Sequence, residues 1–226
     1  MRIGGLQKLT LLDFPQKVAC TVFMSGCNFR CPFCHNTPLL SGQEGMSEDE
    51  LFSFLKKRQG MLDGVAVTGG EPLLHADIES LLRKIKAMGY AVKLDTNGSF
   101  PERLKGLINA KLVDYVAMDI KNSPQKYALT AGAEGILPQV EKSVKLLLSG
   151  IVPYEFRTTV VDELHEAEDF HAIGKWIAGA SAYYLQGFVD SGNILSDGMS
   201  AASESKMANC LAIASRYISN TQIRGL

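Results

Sequence analysis

Short apolar runs alternate with amphipathic stretches from one end of the chain to the other. Six of these runs are bounded by Gly, Asn or Asp, which is typical of buried parallel strands. The predicted strands are residues 17–24, 64–68, 91–95, 115–120, 154–160 and 183–188. The pattern therefore predicts an α/β protein in which helices connect parallel strands.

The stretches between these runs carry apolar residues at helical spacing. Residues 47–50, Ser-Glu-Asp-Glu, form a capping box and predict the start of the first helix. Further helices are predicted near residues 78–85, 104–108, 140–148, 170–177 and 201–218. An eight-unit barrel typically needs about 250 residues, and this chain has 226. We therefore expect one domain over residues 1–226, a partial, open (β/α)6 barrel with a parallel six-stranded sheet and functional residues at the carboxyl ends of its strands.

Composition narrows the class of protein. Charged residues make up 21% of the chain and the formal net charge is −1, so no basic excess points to nucleic acid as a partner. No apolar run reaches the roughly 18 residues that a membrane helix needs. The amino-terminal segment is interrupted by Asp13, Pro15 and Lys17 and does not have the pattern of a signal peptide. We expect a cytoplasmic protein that binds neither nucleic acid nor a membrane.

Three of the five cysteines lie together, directly after the first predicted strand. Cys27, Cys31 and Cys34 have the spacing C-x3-C-x2-C. Thiolates suit iron–sulfur clusters and zinc. A 4Fe–4S cluster normally takes four cysteines, so three would leave one iron open. A zinc site that adds His35 is the alternative, although the adjacency of Cys34 and His35 makes joint ligation awkward.

Glycine-rich and charged motifs end the next three predicted strands. They are Thr68-Gly69-Gly70-Glu71-Pro72, Asp95-Thr96-Asn97-Gly98 and Met118-Asp119-Ile120-Lys121. Two consecutive glycines let backbone groups approach a ligand closely. Asp95 and Lys121 are opposite charges that suit the polar end of an amino acid, and a salt bridge at the strand rim is the alternative.

In this order the motifs resemble the signature of the radical S-adenosylmethionine (SAM) superfamily, which places an aromatic residue, here Phe33, before the last cysteine. The resemblance implies that the three cysteines hold a 4Fe–4S cluster that reductively cleaves SAM. The resulting 5′-deoxyadenosyl radical would then remove a hydrogen atom from a substrate. The residues that the resemblance implies for SAM binding are Phe33, Gly69, Gly70, Glu71, Asp95, Asn97 and Lys121.

Further roles are carried over from the same resemblance. Arg157 is a candidate for the SAM ribose or carboxylate, with a rim ion pair as the alternative. Phe188 is a candidate for stacking on adenine, with core packing as the alternative. Asp95, Thr96 and Asp119 could also hold a monovalent cation near the SAM carboxylate, as in some glycyl-radical activases.

Three segments narrow the choice within the superfamily. They are residues 3–8 with 12–15 (IGGLQK and LDFP), 34–36 (CHN) and 184–188 (YLQGF). Together they resemble activating enzymes of the anaerobic ribonucleoside-triphosphate reductase, and CHN is also found in pyruvate formate-lyase activases. Val189 and Asp190 depart from the pattern, because a basic residue is expected near Phe188.

The resemblance implies an activase that forms a glycyl radical on a large partner, the anaerobic ribonucleotide reductase, with a flavodoxin- or ferredoxin-type electron donor. One alternative is a small-molecule radical SAM enzyme such as a 7-carboxy-7-deazaguanine synthase. Others are an activase of the pyruvate formate-lyase type and a non-enzymatic zinc- or cluster-binding module. Cys20 and Cys210 are too few for a second cluster and are expected to be structural.

Overall fold

The computed structural model describes residues 2–41, 45–190 and 192–225. These residues divide into two compact units, which are described separately below. The first unit contains the chain up to Asn28 together with Pro38–Thr96 and Glu102–Val116. The second contains Phe29–Thr37, Asn97–Pro101 and the chain from Ala117 onward.

Strands and helices alternate along most of the described chain. The strands are β1 (Ile3–Thr10), β2 (Ala19–Met24), β3 (Gly64–Gly69), β4 (Ala91–Thr96), β5 (Tyr115–Asp119), β6 (Tyr154–Val160), β7 (Tyr183–Gly187) and β8 (Thr221–Arg224). The helices are α1 (Thr37–Leu40), α2 (Glu48–Lys57), α3 (Ile78–Ala87), α4 (Pro101–Asn109), α5 (Tyr127–Ala131), α6 (Leu137–Leu148), α7 (Ala167–Trp176) and α8 (Glu204–Ala214). Short 3-10 turns cover Pro72–Leu74 and Pro124–Lys126.

In the first unit, β1 pairs antiparallel with β2, whereas β2, β3 and β4 are parallel neighbours. The register places Thr21 opposite Ala66 and Ala66 opposite Lys93. Because side chains alternate along a strand, these three residues and Asp95 share one face of the sheet, which we call the Lys93 face. The four residues are buried, so this face carries charge without being open to water.

Helix α2 begins where the capping box predicts. The Ser47 hydroxyl accepts a hydrogen bond from the Glu50 amide, and the Glu50 carboxylate accepts one from the Ser47 amide. Helix α3 buries Ile78, Leu81, Leu82 and Ile85, which is the apolar stripe of an amphipathic helix.

The LDFP segment between β1 and β2 has an identifiable packing role. Phe14 is buried, and a Cβ on Gly64 would lie 2.8 Å from its ring. The Asp13 carboxylate accepts a hydrogen bond of 2.6 Å from the Thr21 hydroxyl. Leu12, in contrast, is 87% exposed. The Asp and the Phe of the motif therefore fix the loop on the sheet, while the Leu stays at the surface.

In the second unit, β6, β7 and β8 are parallel neighbours. Tyr183 on β7 is fully buried, and its hydroxyl lies 2.7 Å from the Thr158 hydroxyl on β6. Arg224 on β8 lies over the Tyr184 ring at 3.2 Å from the centroid and pairs with Glu155. Aromatic packing and this ion pair hold the last strands together.

All six predicted strands are present, and their ends agree with the prediction within two residues. The described residues also form two strands that the sequence did not predict, β1 and β8, so the expected six parallel strands are incomplete, and β1 is antiparallel to its neighbour β2. Within the described ranges, no helix is long and apolar enough to cross a membrane.

Candidate active site

The cysteine loop follows β2 and is held in place by backbone contacts. Cys27 is half-buried in the first unit, whereas Cys31 is buried and Cys34 half-buried in the second. Within the second unit the Cys34 amide donates to the Cys31 carbonyl at 3.0 Å, and the Arg30 amide donates to the Ala131 carbonyl at 2.9 Å. These contacts shape the short turn that spaces Cys31 from Cys34.

The chemistry of the five thiols divides them into two groups. Burial raises the pKa of Cys20 to about 12 and that of Cys210 to about 11. Both thiols therefore stay protonated near neutral pH and are poor metal ligands. The three loop cysteines are free of disulfides and come from a single stretch of eight residues. Their soft donor set fits a 4Fe–4S cluster with one iron left for another ligand.

The GGEP turn after β3 is locked to the start of the cysteine loop within the first unit. The Gly70 amide donates to the Met24 carbonyl at 2.8 Å, and the Glu71 amide donates to the Gly26 carbonyl at 2.9 Å. Gly69 has φ +111°, where a side chain would be strained. A Cβ on Gly70 would overlap the Gly26 carbonyl oxygen. Glycine at these positions therefore allows two backbones to meet directly before Cys27.

The structure places Glu71 inside this turn. Its carboxylate is fully buried and accepts hydrogen bonds from the Leu73 amide at 3.0 Å and from the Thr96 hydroxyl at 2.8 Å. Glu71 thereby caps the 3-10 turn Pro72–Leu74 and ties it to the end of β4. The role in SAM binding that the resemblance implies for Glu71 stays a prediction.

Asp95 is paired with a residue that the sequence reasoning missed. The Lys93 ammonium lies 2.5 Å from one Asp95 carboxylate oxygen, and the Lys93 side chain is 2% exposed. The two residues are separated by one position on β4 and so lie on the same face. A lysine in an otherwise apolar strand, two residues before an aspartate, is the signal that could have revealed this pair.

Three charged side chains of the second unit meet at Asp119. Its carboxylate accepts hydrogen bonds from Lys121 and from Arg157, each at 3.0 Å. Burial alone would raise the pKa of Asp119, but the charges of Arg157 and Lys121 outweigh it and lower the pKa to about 2. The group therefore holds one fixed anion between two cations, and its net charge of about +1 suits a carboxylate ligand.

His165 is a second residue that the sequence did not single out for this region. It is fully buried, and its Nδ1 accepts a hydrogen bond from the Val161 amide at 3.1 Å. Its Nε2 therefore carries the proton and donates to the Lys121 carbonyl at 3.0 Å. Burial lowers the pKa of His165, which keeps the ring neutral. The ring thereby fixes the backbone of the residue that binds Asp119.

The remaining predicted residues of the second unit lie in turns and in the core. The Asn97 side-chain oxygen accepts from the Ser99 amide at 2.9 Å and from its hydroxyl at 2.6 Å, which closes the turn after β4. Phe33 and Phe188 are buried and pack edge-to-face, with ring centroids 6.5 Å apart. This contact supplies the core-packing role that was the alternative for Phe188.

Residues 21–170 match the family described as the Radical SAM superfamily. The chain therefore belongs to the radical SAM superfamily and is an enzyme that uses a 4Fe–4S cluster and SAM. This membership disfavours the zinc site and the non-enzymatic module.

Individual relatives give a finer comparison. The chain is 33% identical over 230 residues to MJ1227 of Methanocaldococcus jannaschii, which is named for glycyl-radical enzyme activation, and the match covers 98% of this chain and 95% of that protein. It is 40% identical over 77 residues to a 7-carboxy-7-deazaguanine synthase of Halobacterium salinarum, but this match covers 33% of this chain and 30% of the synthase.

The solved structures confirm the fold class. A domain of a pyruvate formate-lyase-activating enzyme from Bacteroides vulgatus superposes with a TM-score of 0.59 at 18% identity, covering 72% of this chain and 99% of that domain. At this identity the likeness shows the fold alone. The prediction of an α/β fold with an open, parallel sheet is confirmed at the level of the fold class, and the antiparallel pairing of β1 with β2 is the departure from it.

Proposed function

We propose that this enzyme is an activase that forms a glycyl radical on a large partner protein, and that the partner is the anaerobic ribonucleoside-triphosphate reductase. The observation that carries the activase part of the proposal is the match to MJ1227, which extends over 98% of this chain; the choice of the reductase rests on the sequence segments discussed below. A likeness of that extent includes the segments outside the cysteine loop and the SAM motifs, where a partner would be recognised.

The chain's own residues have defined tasks in this proposal. Cys27, Cys31 and Cys34 bind the cluster, and the Gly69–Gly70 turn fixes the start of their loop. When bound, the cluster supplies the electron that cleaves SAM, and SAM supplies the group that abstracts hydrogen. Lys121 and Arg157 present two cations that suit the carboxylate of an amino acid, and Asp119 holds both in place.

The finer choice of partner is supported by the segments that resemble reductase activases. In LDFP, Phe14 is buried and the Asp13 carboxylate accepts a hydrogen bond from Thr21, whereas the Leu12 side chain is exposed. In YLQGF, Phe188 packs on Phe33, the aromatic residue of the cysteine loop. Both segments therefore combine a packing residue with positions that a partner could contact.

Two other partners or substrates are kept as alternatives. An activase of the pyruvate formate-lyase type would use the same residues and differ only in the protein that it recognises. A 7-carboxy-7-deazaguanine synthase is the small-molecule alternative, and its match covers only 33% of this chain. The electron donor of the flavodoxin or ferredoxin type and the cytoplasmic location stay predictions.

The proposal is tested by electron paramagnetic resonance on the anaerobically reconstituted enzyme. Incubation with SAM, a reductant and the anaerobic reductase should give a glycyl-radical signal on the reductase. The signal should be absent with the Cys31→Ala variant and with a reductase whose radical glycine is replaced by alanine.

The outcomes separate the alternatives. A signal on a pyruvate formate-lyase-type protein but not on the reductase would retain the activase and reject the partner. Efficient turnover of a purine-like small molecule, with no radical on either protein, would favour the synthase and reject the activase.

A further inference from the structure

The family resemblance suggests a monovalent cation site formed by Asp95, Thr96 and Asp119. The contacts that these three side chains make in the structure show whether they are available to an added ion. The Asp95 carboxylate binds the Lys93 ammonium at 2.5 Å. The Thr96 hydroxyl donates to Glu71 at 2.8 Å. The Asp119 carboxylate binds Lys121 and Arg157. Each carboxylate thus already holds a cation that belongs to the chain, so the residues do not fit a site built for an added one.

At Asp95, the cation that belongs to the chain is the Lys93 ammonium. The Lys93 side chain is 2% exposed, and lysine is almost never buried to this extent without a partner. Ala66 lies opposite Lys93 in the register, and Thr21 lies opposite Ala66. These small side chains leave room on the Lys93 face for the long aliphatic stem.

On the Lys93 face, the positive charge of Lys93 balances the negative charge of Asp95. A carboxylate buried beside a ligand that carries its own carboxylate needs a nearby positive charge, since burial disfavours unpaired anions. An alkali ion would supply that charge from solution. The Lys93 ammonium supplies it from within the strand, and a second positive charge beside it would be repelled.

We propose that Lys93 takes the place of the monovalent cation at Asp95, so that SAM binding by this enzyme does not depend on sodium or potassium. Lys93 is then a positioning residue that acts through Asp95. The inference rests on the role in SAM binding that the sequence resemblance implies for Asp95, and on no other part of the proposed function. Its test needs no partner protein, so it can fail without the activase proposal failing.

The test measures SAM affinity of the reconstituted holoenzyme in sodium chloride, potassium chloride and tetramethylammonium chloride at equal ionic strength. The wild-type affinity should be the same in all three salts. Lys93→Met should bind SAM about tenfold more weakly in tetramethylammonium, as expected for the loss of a charge-assisted contact. Sodium or potassium should restore that affinity by filling the place of the ammonium.

Two further variants serve as controls. Lys84→Met makes the same substitution at a surface pair with Glu48, where the lysine side chain is 56% exposed, and should leave SAM affinity unchanged in every salt. Lys93→Arg keeps the charge and should stay independent of the cation. This variant and the wild type decide the question if Lys93→Met does not fold.

Three results would overturn the inference. The first is a loss of wild-type SAM affinity of about tenfold or more when sodium and potassium are replaced by tetramethylammonium. The second is a Lys93→Met enzyme that binds SAM in tetramethylammonium as tightly as the wild type. The third is a Lys93→Arg enzyme that needs sodium or potassium.

Discussion

At the scale of single residues, the cysteines make the most direct prediction. Replacing Cys31 by Ala should abolish SAM cleavage and lower the bound iron well below the roughly four atoms per chain of a cubane cluster. Cys20→Ala is the matched control, since its thiol is buried with a pKa raised to about 12. Iron analysis and SAM cleavage after anaerobic reconstitution measure both effects, and full activity of Cys31→Ala would reject the cluster assignment.

A second prediction concerns the contact between the GGEP turn and the cysteine loop. The Cβ of Gly70→Ala would overlap the Gly26 carbonyl oxygen, so the two backbones must separate directly before Cys27. We expect this variant to reconstitute with much less iron.

Gly106→Ala provides the control. Nothing lies within 4 Å of a Cβ at this position on α4, and the change should raise stability by about 0.5–1 kcal/mol because alanine favours helix. Equal iron content in the two variants would show that the contact at Gly70 is not needed.

At the scale of elements, two buried histidines link strand ends to neighbouring loops. His75 lies 2.8 Å from the Ser25 carbonyl before the cysteine loop, and His165 fixes the Lys121 carbonyl. Burial lowers the pKa of both rings below the ordinary value of 6.5. Below pH 6.5 the unfolded chain therefore binds more protons than the folded enzyme, and stability falls as the pH decreases.

The measurable prediction is the pH slope of the unfolding free energy. Between pH 7.5 and 5.5, stability should decline by up to about 1.4 kcal/mol per pH unit for each histidine that must stay neutral. His165→Gln should decline less steeply than the wild type in anaerobic urea titrations. An identical slope would mean that His165 can be protonated in the folded enzyme.

Elements with a strong apolar pattern could be predicted from the sequence, whereas β1 and β8 could not. β6 was predicted at its observed ends, Tyr154–Val160, because aromatic and β-branched residues recur at every second position and are buried. β1 was missed because it contains Gly4 and Gly5 and leaves residues 7–9 exposed, so no buried run marks it. β8 has only four residues, none of them buried.

Site residues that belong to a sequence motif could be predicted, whereas contacts between residues far apart in the sequence could not. The cysteines and the glycine turn follow from their spacing along the chain. The partners of Asp119 depend on β6 lying near the end of β5, which places Arg157 at 3.0 Å from the carboxylate. His165 is 44 residues from Lys121 in the sequence, so its contact could not be read from local pattern.

At the scale of the whole molecule, the proposed function predicts that SAM cleavage depends on the partner. A partial barrel that acts on a protein segment needs that partner to exclude water from the reaction. The enzyme alone should therefore cleave SAM slowly, and addition of the anaerobic reductase or a peptide of its glycine loop should raise the rate. Chromatography of 5′-deoxyadenosine measures this, with a peptide lacking the glycine as control. A rate that responds to no glycyl-radical protein would contradict the proposal.

The burial of Cys20 and Cys210 has a practical consequence for handling the enzyme. At pH 8, thiols whose pKa is raised to about 12 and about 11 are almost entirely protonated, so alkylating reagents react with them slowly. A cysteine that ligates iron is shielded from the same reagents. Alkylation with iodoacetamide, read by mass spectrometry at the loop cysteines, would therefore report the fraction of molecules that have lost their cluster during purification.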